Sequence, residues 1–443
     1  MNAAGLAFTL VACLLIFVLP RRHALVPLLA TAALMTRGQV LEIAGADFTV
    51  LRLVVGVGVL RLLLRREGPA HGVDTVDRLM FAWAGCLMAT TVFHTDDQWL
   101  LRAGIVWTEL GTYLLLRAFL RDWRDVRRAF ALIVVLLVPV ALAMVAEKLT
   151  GENAFSVLGG VDAFAAERDG KLRASGPFFH AILAGTVGAA TFPMALCLWR
   201  TQRALSLLGM ATALAIVLAS TSSGPIMMLL FAVLGLALYR VRRHLAALRW
   251  LGLAGVLALA AVMKDPFYFV MARIDITGGS TGYHRAQLIR SSIDHLHEWW
   301  LAGTDVTRHW MPTGIFANPN HTDMTNHVLQ MGVWGGLPLI AVFLLMLAAA
   351  FRQVGRALDS GPRGGGERAW LAWTLGAVLF AHLLNFMSIS LFDQSIVFFY
   401  VVLASIGALR LPVAEWVEEP VRARARSREA EPVGYVSRPP FKA

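Results

Sequence analysis

Residues 264–336 gather Arg273, His284, Arg285, Arg290, Asp305, His321, Asp323, Asn326 and His327 into the one long polar interval of an otherwise apolar chain. Guanidinium forks bind phosphate oxygens in pairs. A histidine relays a proton near neutral pH, and a carboxylate orients it or acts as base itself. A second polar patch, Arg173 to His180, and the small residues Ser222 and Ser223 complete the set. These are the side chains with which a protein would hold a phosphorylated saccharide and deprotonate an acceptor hydroxyl.

Each residue also has a plainer reading. Residues 282–302 are expected to form one helix, because Ala286, Ile289, Ile293, Leu296 and Trp300 recur at three- and four-residue steps. Arg290, Ser291, Asp294, His297 and Glu298 fall on the opposite arc, and Arg285 on the margin of the apolar one. An arginine facing protein or membrane calls for an anion or a carbonyl, or else is a snorkelling structural side chain. His295, His297 and Glu298 do not share a face, so they read as a solvated rim and no metal site is expected. Asp323 reads either as acceptor base or as cap of the following helix. His180, one turn into an apolar run, is expected to face the bundle interior or a cavity. Ser222 and Ser223 allow close approach of a ligand or simply make a tight turn. Glu109, mid-run between Trp107 and Leu110, is expected to pair with Arg52 or Arg102, with a proton-relay role as the alternative.

The elements that position these residues follow from composition. The chain is 57% hydrophobic and 16% charged, with a mean hydropathy of +0.63, against about a quarter charged for soluble domains. Runs such as 130–146 and 328–350 approach or exceed the roughly 20 residues that cross a bilayer as helix, and backbone in lipid must satisfy itself within the segment. The fold class is therefore an all-α polytopic membrane protein. Thirteen spans are expected, at 5–19, 24–36, 48–64, 78–95, 100–119, 127–147, 177–199, 204–221, 223–240, 247–263, 327–350, 369–388 and 394–411; the second is short, which allows twelve.

The net charge of +11 is concentrated in arginines of alternate short loops, the positive-inside signature, and not in a nucleic-acid-binding face. The remaining connections, 94–99, 148–176, 221–224, 264–326 and 385–394, then face outward. Residues 1–263 form the first ten spans, 264–326 an outer loop with an amphipathic helix, 327–411 the last spans and 412–443 a disordered cytoplasmic tail. Residues 361–366 lack the Gly-Lys-Ser/Thr ending of a phosphate loop. Cys13, Cys86 and Cys197 lie in apolar runs as small hydrophobes. The N-terminal run 7–19 has no preceding Lys or Arg and reads as a span, not a removed leader.

This order of elements resembles the O-antigen ligase and Wzy-type polysaccharide polymerase superfamily. The resemblance rests on the long outward loop before the last spans and on four local runs. These are Arg173, Ala174, Ser175, Gly176, Pro177, Phe178, Phe179, His180; the turn Ser222, Ser223, Gly224, Pro225; Arg285; and Thr325 through Gly336. It implies a GT-C-like fold and a metal-independent glycosyltransferase acting on a polyprenyl-diphosphate-linked glycan at the periplasmic face of a bacterial inner membrane. Arg285 matches the loop arginine that contacts the diphosphate. Many members have Ser-Arg-Gly in the turn and His-Asn before the late span; here the residues are Ser222, Ser223, Gly224 and Thr325, Asn326.

On this reading Arg285 and Arg173 hold the diphosphate, His321 or Asp323 takes the acceptor proton, and His180, Ser222, Ser223, Asn326 and His327 contact substrate. The expected partners are the lipid-linked glycan, an acceptor glycan or lipid, membrane lipids and other polysaccharide assembly proteins; no nucleic acid, cofactor or nucleotide sugar is expected. The rivals are a flippase for a lipid-linked saccharide, working through intramembrane charges such as Glu109, and a non-catalytic subunit of an assembly complex.

Overall fold

The structure is a computed structural model and describes residues 1–43, 45–95, 98–273, 282–359 and 366–409. The expected tail at 412–443 and residues 361–365 of the glycine-rich stretch lie outside the described residues. The fold is mostly helical, with fifteen α-helices among the described residues. They are α1 (Ala3–Val18), α2 (Leu25–Leu34), α3 (Val50–Arg65), α4 (Thr75–Thr90), α5 (Gln98–Phe119), α6 (Trp123–Thr150), α7 (Ala181–Cys197), α8 (Arg203–Ala219), α9 (Ser223–Ala237), α10 (Leu245–Val262), α11 (Gly282–Asp294), α12 (Leu296–Trp299), α13 (His327–Asp359), α14 (Glu367–Asn385) and α15 (Ser395–Gly407). Three antiparallel hairpins join them: β1 (Val40–Ile43) with β2 (Ala46–Thr49), β3 (Ala166–Arg168) with β4 (Lys171–Arg173), and β5 (Phe316–Asn318) with β6 (His321–Thr322).

Each of the thirteen expected apolar runs falls on a helix. Among the described residues four segments are long and apolar enough to cross a membrane: Thr75–Phe93, Trp123–Thr150, Ser223–His244 and His327–Asp359. The pair Ala247–Val262 and Phe267–Arg273, bent by 83°, makes a fifth if it is one span. The protein is thus a membrane protein with several apolar helices of spanning length.

The bundle is organised around α15 and α7. Every residue of α15 is buried, as expected of a helix that is apolar all round. Helix α7 is built from Ala, Gly and Thr, and small residues let helix backbones approach. A side chain at Gly185 would meet Ser220 Oγ at 2.5 Å and Pro225 at 2.6 Å, and one at Gly188 would meet Ile216 at 2.9 Å. This close contact brings the α8–α9 turn beside the start of α7.

Helix α13 is interrupted at Gly335 and Gly336, with φ +70° at Gly336, and Pro338 follows. A Cβ at Gly336 would strike the Leu301 backbone at 2.5 Å. The backbone groups exposed by this break are used by the 300–304 segment: Leu337 N donates to Trp300 O (2.7 Å) and Thr304 N to Val333 O (3.0 Å). Buried backbone polar groups need such partners, so the break seats the polar interval on the bundle.

The expected continuous helix over 282–302 is corrected. It divides at His295, whose φ of −99° and ψ of 20° lie in the sparsely allowed bridge region. Of the expected apolar arc, Ala286 and Ile289 are buried, but Ile293, Leu296 and Trp300 are exposed, and Trp299 turns inward, donating Nε1–H to Ser292 O at 2.8 Å. Ser291, expected on the polar arc, is buried.

Candidate functional site: an arginine-lined cavity

A cavity of about 980 Å³ opens where the β3–β4 hairpin, the start of α7, the α8–α9 turn, α11 and the β5–β6 hairpin meet. Its first wall is the hairpin. Pairing of Ala166 with Arg173 and of Arg168 with Lys171 sets Lys171 and Arg173 on one face, since side chains alternate along a strand. The strand exit is fastened to the bundle at several points. Ser175 N and Gly176 N donate to the two Glu147 carboxylate oxygens (2.9 and 2.8 Å). Lys148 Nζ donates to Leu172 O and to Thr221 Oγ1, and Ala174 N donates to Ala219 O (3.1 Å).

Arg173 is thereby held between the hairpin and the α8–α9 turn, and its Nη2 donates to Ser222 Oγ at 2.8 Å. Ser222 Oγ in turn donates to Ser220 O (2.8 Å). Ser222 therefore orients the arginine, and Ser223 lines the same wall. Across the cavity Arg285 projects from the first turn of α11. Both arginines are at least nine-tenths buried, and the Nε of each has no hydrogen-bond partner. Neither makes an ion pair within 4 Å among the described residues. Burial, then the positive Arg168 and Arg285, pushes Arg173 down to about 10. Arg285 is held below its ordinary value by burial first and Arg168 second, with Asp323 opposing. Crowded cations without a paired carboxylate make a site that favours an anion.

His180 caps α7, with Nδ1 accepting from Ile182 N at 3.2 Å. Its proton is therefore on Nε2, so in this arrangement the ring offers the cavity a donor and not a base. Although it opens an apolar helix, the ring lies at the cavity wall as expected.

His321 and Asp323 stand on the opposite wall. His321 Nδ1 meets Thr307 Oγ1 at 3.2 Å, which leaves Nε2 for the cavity. Burial holds its pKa below the ordinary value, against the raising influence of Asp305. The backbone of Asp323 is pinned by donation from its N–H to Ile315 O (2.9 Å). Burial raises its carboxyl above the usual range, with His284 and Arg285 opposing. The helix-cap reading of Asp323 gives way, because Asn326 Oδ1 accepts from Leu329 N at 3.0 Å and caps α13 instead.

Asn326 and His327, expected as substrate contacts, do not line the cavity. His327 is buried, packs against Phe386 with ring centroids 4.7 Å apart, and its Nδ1 accepts from Leu391 N at 3.3 Å. His327 serves the joint between α13 and the 386–391 segment, and Asn326 the start of α13. A cluster that sequence reasoning missed lies at the far end. His94 Nδ1 is 2.5 Å from Asp305 Oδ1, Thr95 N donates to Asp305 Oδ2 (3.0 Å), and Arg102 Nη2 donates to His94 Nε2 (2.7 Å). Burial alone would raise Asp305; the Thr95 and His94 bonds outweigh it and hold the carboxylate below its ordinary range. The one sequence signal was that 94–99 and 264–326 are both expected on the same, outward side. Partners 211 positions apart leave no local pattern.

Glu109 is corrected as well. It accepts from Tyr400 OH at 2.5 Å, while Arg52 bonds Thr108 and Asp47 O, and Arg102 bonds His94 and Thr90. No family model and no curated protein matches this chain. The site's chemistry therefore rests on its geometry: two buried arginines on one side, His321 and Asp323 on the other, and a cavity of about 980 Å³ between.

Proposed function

We propose that the chain is a glycosyltransferase that moves a glycan from a polyprenyl-diphosphate carrier to a hydroxyl of an acceptor glycan or lipid, in the manner of a polysaccharide polymerase or O-antigen ligase. The observation that carries this reading is the convergence of Arg173 and Arg285, both buried and without ion pairs among the described residues, on one cavity facing His321 and Asp323. In the reaction the bond from the anomeric carbon to the diphosphate oxygen breaks and a bond to the acceptor oxygen forms. The electron pair leaves with the diphosphate, whose added charge the two arginines and Arg168 meet. Charge complementarity that grows as the bond breaks lowers the barrier. The acceptor proton passes to Asp323 or His321 Nε2. Phe179 and Phe392, exposed and in edge contact at 6.0 Å, give the same cavity an apolar platform.

On this reading all thirteen apolar helices serve as spans in a GT-C-like arrangement, the cavity faces the periplasm of a bacterial inner membrane, and other assembly proteins dock nearby. The test is transfer in proteoliposomes supplied with a purified polyprenyl-diphosphate oligosaccharide. Wild type is expected to lengthen or re-attach glycan and Arg285→Ala to do neither. Carrier movement across the bilayer with no new glycosidic bond by wild type would replace this reading with transport.

A further inference from the structure

The joint between α11 and α12 carries a second constellation. His295 sits at the break, Glu298 on α12, and His309 comes from the turn Arg308–Trp310. One donor atom from each lies within 4.8 Å of the others. His295 Nδ1 is 2.8 Å from Ser291 O, which places the ring proton there and leaves the Nε2 lone pair free. Glu298 faces His309 Nε2 through both oxygens (3.1 and 2.8 Å), and its Oε2 accepts from Trp310 Nε1 at 2.9 Å. Trp310 stacks on His295, with ring planes 20° apart. An imidazole fixed by a carbonyl and a carboxylate fixed by an indole N–H are the outer contacts that orient metal ligands.

We propose that His295, Glu298 and His309 bind a zinc-class divalent cation, with two imidazole nitrogens and a carboxylate as ligands and a fourth position open to water. In the bound form His309 carries its ring proton on Nδ1 and gives the Nε2 lone pair to the ion. The ion ties the α11–α12 joint to the turn that leads into β5–β6. Arg285 lies about 15 Å along α11 from His295, at about 1.5 Å per residue, so the ion is remote from the diphosphate cradle. Its role is to brace the two arms that carry Arg285 on one side and His321 and Asp323 on the other. His297 Nε2, 3.9 Å from Glu298 Oε1 and largely exposed, lies outside the triad.

The test uses the full chain in detergent, free of any histidine tag, titrated with Co²⁺ and then Zn²⁺. One equivalent of cobalt should give the visible absorption of a four-coordinate ion, bleached by zinc. His295→Gln and His309→Gln should each weaken binding by more than the roughly 10–100-fold that loss of an outer contact causes, and the double variant should lose it. Glu298→Gln keeps an acceptor for Trp310 and should fold normally while losing the ion; His71→Gln should bind as wild type does. Zinc should slow amide exchange across 284–323 in wild type and not in the double variant. Absence of stoichiometric binding in wild type, or unchanged affinity in the double variant, overturns the site.

Discussion

Arginines occur in two settings in this protein, and the contrast between them separates structure from function. Inside the bundle Arg117 is 2.7 and 2.8 Å from the two Asp77 oxygens, and Tyr113 OH donates to the same carboxylate at 2.6 Å. Arg61 reaches both Glu67 oxygens at 2.9 Å and donates to Ile16 O and Leu19 O at 2.7 Å. At the outer cavity Arg173 and Arg285 are nearly as buried, yet Arg173 bonds only a serine hydroxyl among the contacts above, and Arg285 meets no carboxylate within 4 Å among the described residues. A cation taken from water needs compensation. In the bundle the chain supplies it; at the cavity, on the proposed function, the diphosphate would.

The comparison breaks first, and hardest, at Asp77. Asp77→Ala leaves Arg117 and Tyr113 buried without their shared acceptor, and removing one member of a buried pair is destabilising by about 3–5 kcal/mol. The measurement is the unfolding midpoint in detergent; a change below about 1 kcal/mol would mean that the bundle pair is not structural. Arg285→Ala should do the reverse. Its unfolding midpoint should hold or rise, because a poorly compensated buried cation has been removed. Transfer should fall by about 10²–10³, the loss seen when one preorganised donor to a developing anion is deleted. Equal losses of stability at Arg285 and Asp77 would erase the distinction.

Much of the helical framework was legible in the sequence because each apolar run is local and satisfies its own backbone. Arg285 stood out because it falls on the margin of an apolar helical arc, and Arg173 because it lies where a polar connection enters an apolar run. What was hidden depends on pairing across the chain. The His94 and Asp305 contact is of this kind, as is the choice of Tyr400 and not an arginine for Glu109. The break at His295 escaped because the apolar spacing of 286–300 continues smoothly through it. Only the seating of 300–304 on the α13 glycines requires the helix to turn there. His309 could not be joined to His295 and Glu298 for the same reason.

The two candidate bases sharpen the cavity side of the comparison through pH. A base works deprotonated, so activity falls as pH drops through its pKa. Burial moves His321 down and Asp323 up from their ordinary values, so a histidine base places the acid limb of kcat/KM below the free imidazole's range and a carboxylate base places it above the free carboxyl's. Asp323→Asn should remove the limb if the carboxylate is the base, whereas His321→Asn should remove it if the imidazole is.

The smallest expected effect is at Glu109, and it decides between transfer and transport. Its carboxyl group is buried and met by Tyr400 OH at 2.5 Å, so like Asp77 it has a partner inside the bundle. Glu109→Gln keeps an acceptor oxygen for that hydroxyl. Exchanging one neutral hydrogen bond for another of similar geometry changes stability by no more than about 1 kcal/mol. Transfer should then stay within about threefold of wild type, the factor that corresponds to about 0.6 kcal/mol. A flippase driven through intramembrane charges requires the opposite, because the amide cannot carry a proton. Loss of function in Glu109→Gln with a normal unfolding midpoint would therefore move the working part of the molecule from the arginine cavity into the bundle.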